Sequence, residues 1–192
     1  MLAPELLLDA YRRGIFPMAM NARGTIGWFT PDPRAIIPLD AGFHIPHGLR
    51  RTLKKAPFEI TFDRDFPAVV RECASHRAEG TWISPQIHKS YCQLHKLGHA
   101  HSVEVWADGK LAGGLYGVHI GAVFFGESMF HRATDASKVA LVTLVERLRQ
   151  RDFVLLDTQW QTAHLKQFGT REIPRSEYLQ ILERAVTFPV EF

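Results

Sequence analysis

"HSVEVWADGKLAGGLYGVHIGAVFFGES", residues 101–128, is the stretch that sets the fold class. Three short runs of β-branched and aromatic residues are divided by Asp108-Gly109 and by Gly121, the turn chemistry of tight hairpins. The spacing predicts a meander of three antiparallel strands. Just upstream, "SPQIHKSYCQLHKLG" (84–98) reads as a helix with Ser84 as N-cap, Pro85 at its first position and Gly98 as its stop. Just downstream, "DASKVALVTLVERLRQRD" (135–152) reads as an amphipathic helix capped by Asp135 or Ser137.

Further out the signals are shorter. "FVLLDTQ" (153–159) is a buried strand, and "TAHLKQFG" (162–169) and "RSEYLQILERAV" (175–186) are closing helices. Toward the start, "PELLLDAYRRG" is a helix stopped by Gly14, "FEITFD" (58–63) a strand and "DFPAVVRECAS" (65–75) a helix. Between them "FTPDPRAIIPLD" (29–40) is expected to be irregular and extended, because each proline removes a donor and restrains its neighbour. The order points to an α+β, acyltransferase (GNAT)-like fold. A central, mostly antiparallel sheet would be flanked by helices, with a small basic N-terminal subdomain over residues 1–56 and the main domain over 57–192.

The totals bound the function classes. Of the 192 residues, 46% are apolar, enough for a sizeable core and against global disorder. No apolar run reaches the ~18 residues that span a bilayer. The opening "MLAPELLLDAYRRG" lacks a positive n-region and a cleavage site, and Cys73 and Cys92 stand in no metal or redox spacing, so a reduced, cytoplasmic protein is expected. Net charge is only +3, but residues 1–56 hold eight Lys/Arg against four Asp/Glu. The excess peaks in "GLRRTLKK" (48–55), with Arg50, Arg51, Lys54 and Lys55 and no acid. Such a patch is the footprint of phosphate binding, or else a solvated helix face.

Several chemistries have no support. There is no Walker loop and no HExxH, and Phe130 stands where a nucleophile elbow needs its second glycine. His95, His99 and His101 straddle the Gly98 helix stop in no ligand spacing, so no metal is expected. An acetyl-CoA enzyme would place a glycine loop ahead of the long helix, where this chain has "HRATDAS" (131–137); coenzyme A is therefore disfavoured. Two polar features survive. Glu127 sits among Phe124, Phe125, Met129 and Phe130. Asp157 and Gln159, two apart on a strand, would project together and are costly to bury without partners. A helix cap and a satisfied backbone group remain the structural alternatives for that pair.

The chain resembles the leucyl/phenylalanyl-tRNA–protein transferase family. The resemblance rests on "YRRGIFP" (11–17), "PDPRA" (31–35), "EGTWIS" (79–84), "LHKLGHAHSVEVW" (94–106), "GGLYGV" (113–118), "GESMF" (126–130), "ASKVAL" (136–141), "LLDTQ" (155–159) and "EIPRSEYL" (172–179), in family order over nearly the whole chain. It implies an aminoacyltransferase without cofactor, moving Leu or Phe, with Met as a further donor, from aminoacyl-tRNA to the N-terminal Arg or Lys of acceptor proteins and so marking them for degradation.

By the same resemblance, Asp157 and Gln159 are the catalytic pair. Gln159 accepts a hydrogen bond from the attacking amine while Asp157 orients the amide and balances charge. Glu127 would hold the cationic acceptor end. Leu115, Phe124, Gly126, Met129, Leu144, Leu148 and Leu156 would form the amino-acid pocket, and Trp82 would stack on the terminal adenine. Met18 stands where relatives often carry a second tryptophan, and Leu144 and Leu148 where some carry phenylalanine. With tRNA as substrate, Arg50, Arg51, Lys54 and Lys55 become phosphate contacts. A monomer is expected. The alternative is a non-catalytic or altered-specificity relative that binds RNA or peptide.

Overall fold

The computed structural model describes residues 1–21, 23–55, 57–75 and 80–192; Glu79 of "EGTWIS" and residue 56, at the expected domain boundary, lie outside them. The elements run α1 (Pro4–Arg12), β1 (Phe16–Ala19), β2 (Ile26–Phe29), β3 (Arg34–Ile37), α2 (His47–Lys55), β4 (Glu59–Phe62), α3 (Phe66–Ser75), α4 (Pro85–Lys96), β5 (Ala100–Ala107), β6 (Lys110–Ile120), β7 (Val123–His131), α5 (Ala136–Gln150), β8 (Leu155–Gln159), α6 (Ala163–Lys166), β9 (Arg171–Ile173) and α7 (Arg175–Ala185).

The expected meander is the heart of a seven-stranded sheet ordered β4-β5-β6-β7-β8-β3-β9. Every pairing is antiparallel except β7 with β8, which α5 connects as a helical crossover. The turn residues behave as their chemistry requires: Asp108, Gly109 and Gly121 all take positive φ, at 50°, 71° and 53°. Helix α4 starts as read, with Ser84 Oγ accepting from Ile87 N at 3.3 Å. Asp135 is the N-cap of α5, but its carboxylate serves Lys138 and Thr52, each at 2.9 Å, rather than a backbone amide.

The sheet divides the apolar core into two. On one face α1, α3, α4 and α7 cover a core that includes Tyr11, Tyr91, Phe125, Phe130 and Tyr178. On the other, α2, α5 and α6 cover one that includes Leu115, Phe124, Leu144 and Leu156. Gly113 lets the start of α5 sit hard against β6, since a Cβ there would lie 2.6 Å from that of Ala136.

One expectation is corrected. The proline-rich connector is not irregular throughout: its four residues Arg34–Ile37 form β3, bonded on both sides, to β8 and to β9. Pro33 and Pro38 bound this strand instead of interrupting it, so every ladder donor inside it survives. The expected division at residue 56 therefore cuts across the sheet. Of the first 56 residues, β1 and β2 form a separate two-stranded ribbon, whereas β3 belongs to the main sheet.

Candidate active site

The site is built where strand regularity fails. Along β6, Tyr116 and Gly117 are successive, but on β7 their partners are Ser128 and Gly126. Glu127 is thus the extra residue of a bulge, with no partner in the ladder. The bulge reverses the alternation of β7. Phe124 and Met129, five apart, both face the α5 side, while Phe125 and Phe130 both face the other.

Glu127 is held by two tyrosines: Tyr11 on α1 donates to Oε1 at 2.7 Å and Tyr91 on α4 to Oε2 at 3.1 Å. The two phenol oxygens also contact each other. Burial pushes the Glu127 carboxyl up to about 7, although both tyrosine hydrogen bonds favour its charged form. Burial and the Glu127 carboxylate in turn raise both tyrosines well above the usual phenol range.

Asp157 is sealed from solvent, and all its acceptor capacity is used within the protein. Oδ1 accepts from Arg34 Nε at 2.8 Å and from the Gln159 backbone N–H at 2.9 Å. Oδ2 accepts from Arg34 Nη2 at 2.6 Å and from Tyr178 at 2.9 Å. Arg34 also donates to the carbonyl of Gly14 at 2.8 Å, which ties the end of α1 to the sheet. Burial would lower Arg34, but the Asp157 carboxylate outweighs it and holds the guanidinium above its ordinary pKa.

The expected side-by-side projection of Asp157 and Gln159 fails at a second irregularity. Ala35 pairs with Gln159 and Ile36 with Asp157, so Thr158 is skipped. Gln159 then takes φ +60°, which turns its side chain away from that of Asp157. Gln159 lines a pocket that Asp157 does not reach, and its buried Nε2 has no hydrogen-bond partner. What Asp157 contacts is the backbone of Gln159, not its amide.

The pocket has a volume of about 470 Å³. Of the residues expected to bind substrate, Trp82, Met18, Leu115, Gly126, Met129, Leu144 and Leu156 line it, together with Glu127 and Gln159. Phe124 and Leu148 do not. Phe124 packs beneath the pocket, close to Gly117 and stacked on Phe192 at 5.3 Å, and Leu148 lies one turn further along α5 than Leu144, in the core. Among the lining residues that sequence reasoning missed are Phe16, Leu141, Trp160, Thr162, His164 and Leu165. Phe16 lay inside the "YRRGIFP" motif and Trp160 directly after "LLDTQ", so adjacency to motifs was the signal available.

The basic side chains Arg50, Arg51, Lys54 and Lys55 are all exposed on α2. Thr52 of the same helix bonds Asp135, four residues beyond the pocket residue His131. The basic helix therefore abuts the segment that leads from the pocket into α5. No group of three or more His, Cys, Asp or Glu among the described residues could hold a metal ion, and no described helix is long and apolar enough to cross a membrane.

A family model described as leucyl/phenylalanyl-tRNA protein transferase matches residues 36–183, and one for the N-terminal domain of the same family matches residues 1–32. A leucyl/phenylalanyl-tRNA–protein transferase of Akkermansia muciniphila is 57% identical over 186 residues, 96% of each chain. One of Salinibacter ruber is 54% identical, covering 96% of this chain and 80% of that protein. Among solved structures, a ribosomal-protein-alanine N-acetyltransferase from Brucella melitensis is similar with a TM-score of 0.40 and 17% identity, over 64% of this chain and 90% of that one.

Proposed function

Because the chain belongs to the leucyl/phenylalanyl-tRNA protein transferase family, we propose that it is an aminoacyltransferase that moves leucine or phenylalanine, and methionine as a third donor, from tRNA to the N-terminal Arg or Lys of an acceptor protein, marking that protein for degradation. The observation that carries the reading is the pocket. Leu115, Met129, Leu144 and Leu156 offer an apolar side chain a place to bind, while Gln159 and Glu127 meet the same space with polar atoms. That is the lining an aminoacyl ester needs: one end apolar, the other reactive.

The chemistry asks for little beyond positioning. The acceptor's neutral α-amine attacks the ester carbonyl, the C–N bond forms and the C–O bond to the ribose breaks. One proton leaves nitrogen and one reaches the departing ribose oxygen. Gln159 receives a hydrogen bond from the amine and fixes its approach; an amide oxygen is too weak a base to do more. The charge-balancing role expected of Asp157 passes to Glu127, since Arg34 already neutralises Asp157. Asp157 acts through the backbone of Gln159. Ionised Glu127 attracts the cationic end of the acceptor. Trp82 stacks on the terminal adenine, and α2 follows the tRNA backbone by charge. The chain works as a monomer.

The test is transfer of labelled leucine from leucyl-tRNA to a protein beginning with Lys or Arg, with Gln159→Ala alongside. Transfer that falls at least tenfold in the variant supports the reading. No transfer by the unaltered protein, with tRNA still bound, replaces it with a binding module on the same fold.

A further inference from the structure

Trp160 is a half-exposed indole at the pocket, and nothing in the sequence assigned it a task. It keeps 43% of its surface in solvent and still lines the pocket directly after Gln159. Its placement is fixed. The backbone N–H donates to the Thr158 carbonyl at 2.7 Å, and the ring meets Phe16 at 5.1 Å and 85° and Phe29 at 6.4 Å and 67°. Both neighbours stand edge to face, so neither ring stacks parallel on the indole. A tryptophan used only for packing would bury more of its area.

The surroundings say what the indole is for. Phe16 and Met18, two apart on β1, both line the pocket, and Ala19 of that strand donates to the Trp82 carbonyl at 3.0 Å. A continuous rim therefore runs from Trp160 through Phe16 and Met18 to Trp82. Beyond Trp160 the lining continues into Thr162 and His164, followed by exposed Lys166. Among the described residues, the one carboxylate in the lining is Glu127, whose two oxygens are engaged by Tyr11 and Tyr91. A flat base on an anionic backbone fits both the indole and the uncharged-to-basic wall.

We propose that Trp160 is a second stacking platform for the unpaired 3′ end of the tRNA, acting beside Trp82 and supplying aromatic surface that Met18 does not. It is a specificity residue for nucleic acid and does no chemistry. The inference rests on the aminoacyl donor being tRNA-borne, as proposed above.

The experiment measures kcat/KM for leucyl-tRNA at saturating acceptor, and for the acceptor at saturating leucyl-tRNA, in the unaltered protein and in Trp160→Ala, Trp160→Leu and Trp160→Phe. Transfer by the unaltered protein tests the aminoacyltransferase reading separately. Trp160→Ala and Trp160→Leu should lose about 5- to 150-fold toward leucyl-tRNA, the equivalent of ~1–3 kcal/mol of stacking. Trp160→Phe should retain most of the activity, and acceptor kcat/KM should stay unchanged in all three. Repeating the series with the leucyl ester of adenosine locates the base: a loss that persists assigns the terminal adenine, and a loss confined to whole tRNA assigns a preceding nucleotide. Donor kinetics unchanged in Trp160→Ala would overturn the proposal. So would a loss seen only toward the acceptor, or equal retention by Trp160→Leu and Trp160→Phe.

Discussion

Arg34 grips both oxygens of Asp157, Nε to Oδ1 at 2.8 Å and Nη2 to Oδ2 at 2.6 Å, with both side chains wholly shielded from solvent. The pair joins β3 to β8 and, through Gly14, ties in the end of α1. Breaking such a pair by removing one partner leaves a buried charge uncompensated, at about 3–5 kcal/mol. Arg34→Met should therefore lower the urea midpoint sharply, and Arg34→Met with Asp157→Leu should recover much of the loss. A single variant as stable as the double would mean that the pair does not hold the fold.

Glu127 makes stability depend on pH in a direction opposite to most carboxylates. Its folded-state pKa of about 7 lies above the ordinary 4.5. Between those values the folded protein keeps a proton that the unfolded chain has released. Stability from this group is therefore greatest below about 4.5 and is lost as pH rises to about 7, on the order of 3 kcal/mol. Glu127→Gln should remove that decline in denaturation curves taken across the window. It should also weaken the preference for Arg or Lys at the acceptor's N-terminus. A variant that shows the same pH slope as the unaltered protein would contradict the assignment.

The meander and the flanking helices were legible because their period and turn residues are local signals. The bulge at Glu127 was not. Its existence follows from the pairing of Gly117 with Gly126 and of Tyr116 with Ser128, and register is a property of two strands at once. The same holds for β3. Four residues between prolines carry little periodicity, and only β8 and β9 on either side make them a strand. Asp157 and Gln159 were found by motif, but a strict alternation gave them a shared direction that the left-handed Gln159 backbone removes. Arg34, inside "PDPRA", gave no sign in the sequence that its partner lay 123 residues away.

Leu144 and Leu148 offer a contrast within one helix. Both were expected in the amino-acid pocket, but only Leu144 lines it. Leu144→Ala enlarges the pocket and should move the preference from leucine toward phenylalanine by about 10- to 200-fold in the ratio of kcat/KM values. Leu148→Ala should instead cost about 2–5 kcal/mol of stability by opening a core cavity, and leave the ratio unchanged. Competition between leucyl- and phenylalanyl-tRNA, with thermal denaturation of the same samples, separates the two. An altered ratio in Leu148→Ala would place that side chain in contact with substrate.

The exposed face of α2 carries the electrostatic part of the proposal. Each Lys or Arg that meets a tRNA phosphate releases counterions, so the plot of log affinity against log salt should flatten by about 0.7–0.9 for each such side chain removed. Arg51→Ala with Lys54→Ala should therefore reduce the slope by about 1.4–1.8, with little change in the preference among aminoacyl groups, because phosphate contacts carry no sequence information. Arg184→Ala, on α7, removes an exposed charge from a helix that packs on the opposite face of the sheet and is the control. Equal slopes in the control and the double variant would show that α2 is an ordinary solvated face. A flattened slope confined to the double variant would place the tRNA along the helix that abuts the start of α5 through Thr52 and Asp135.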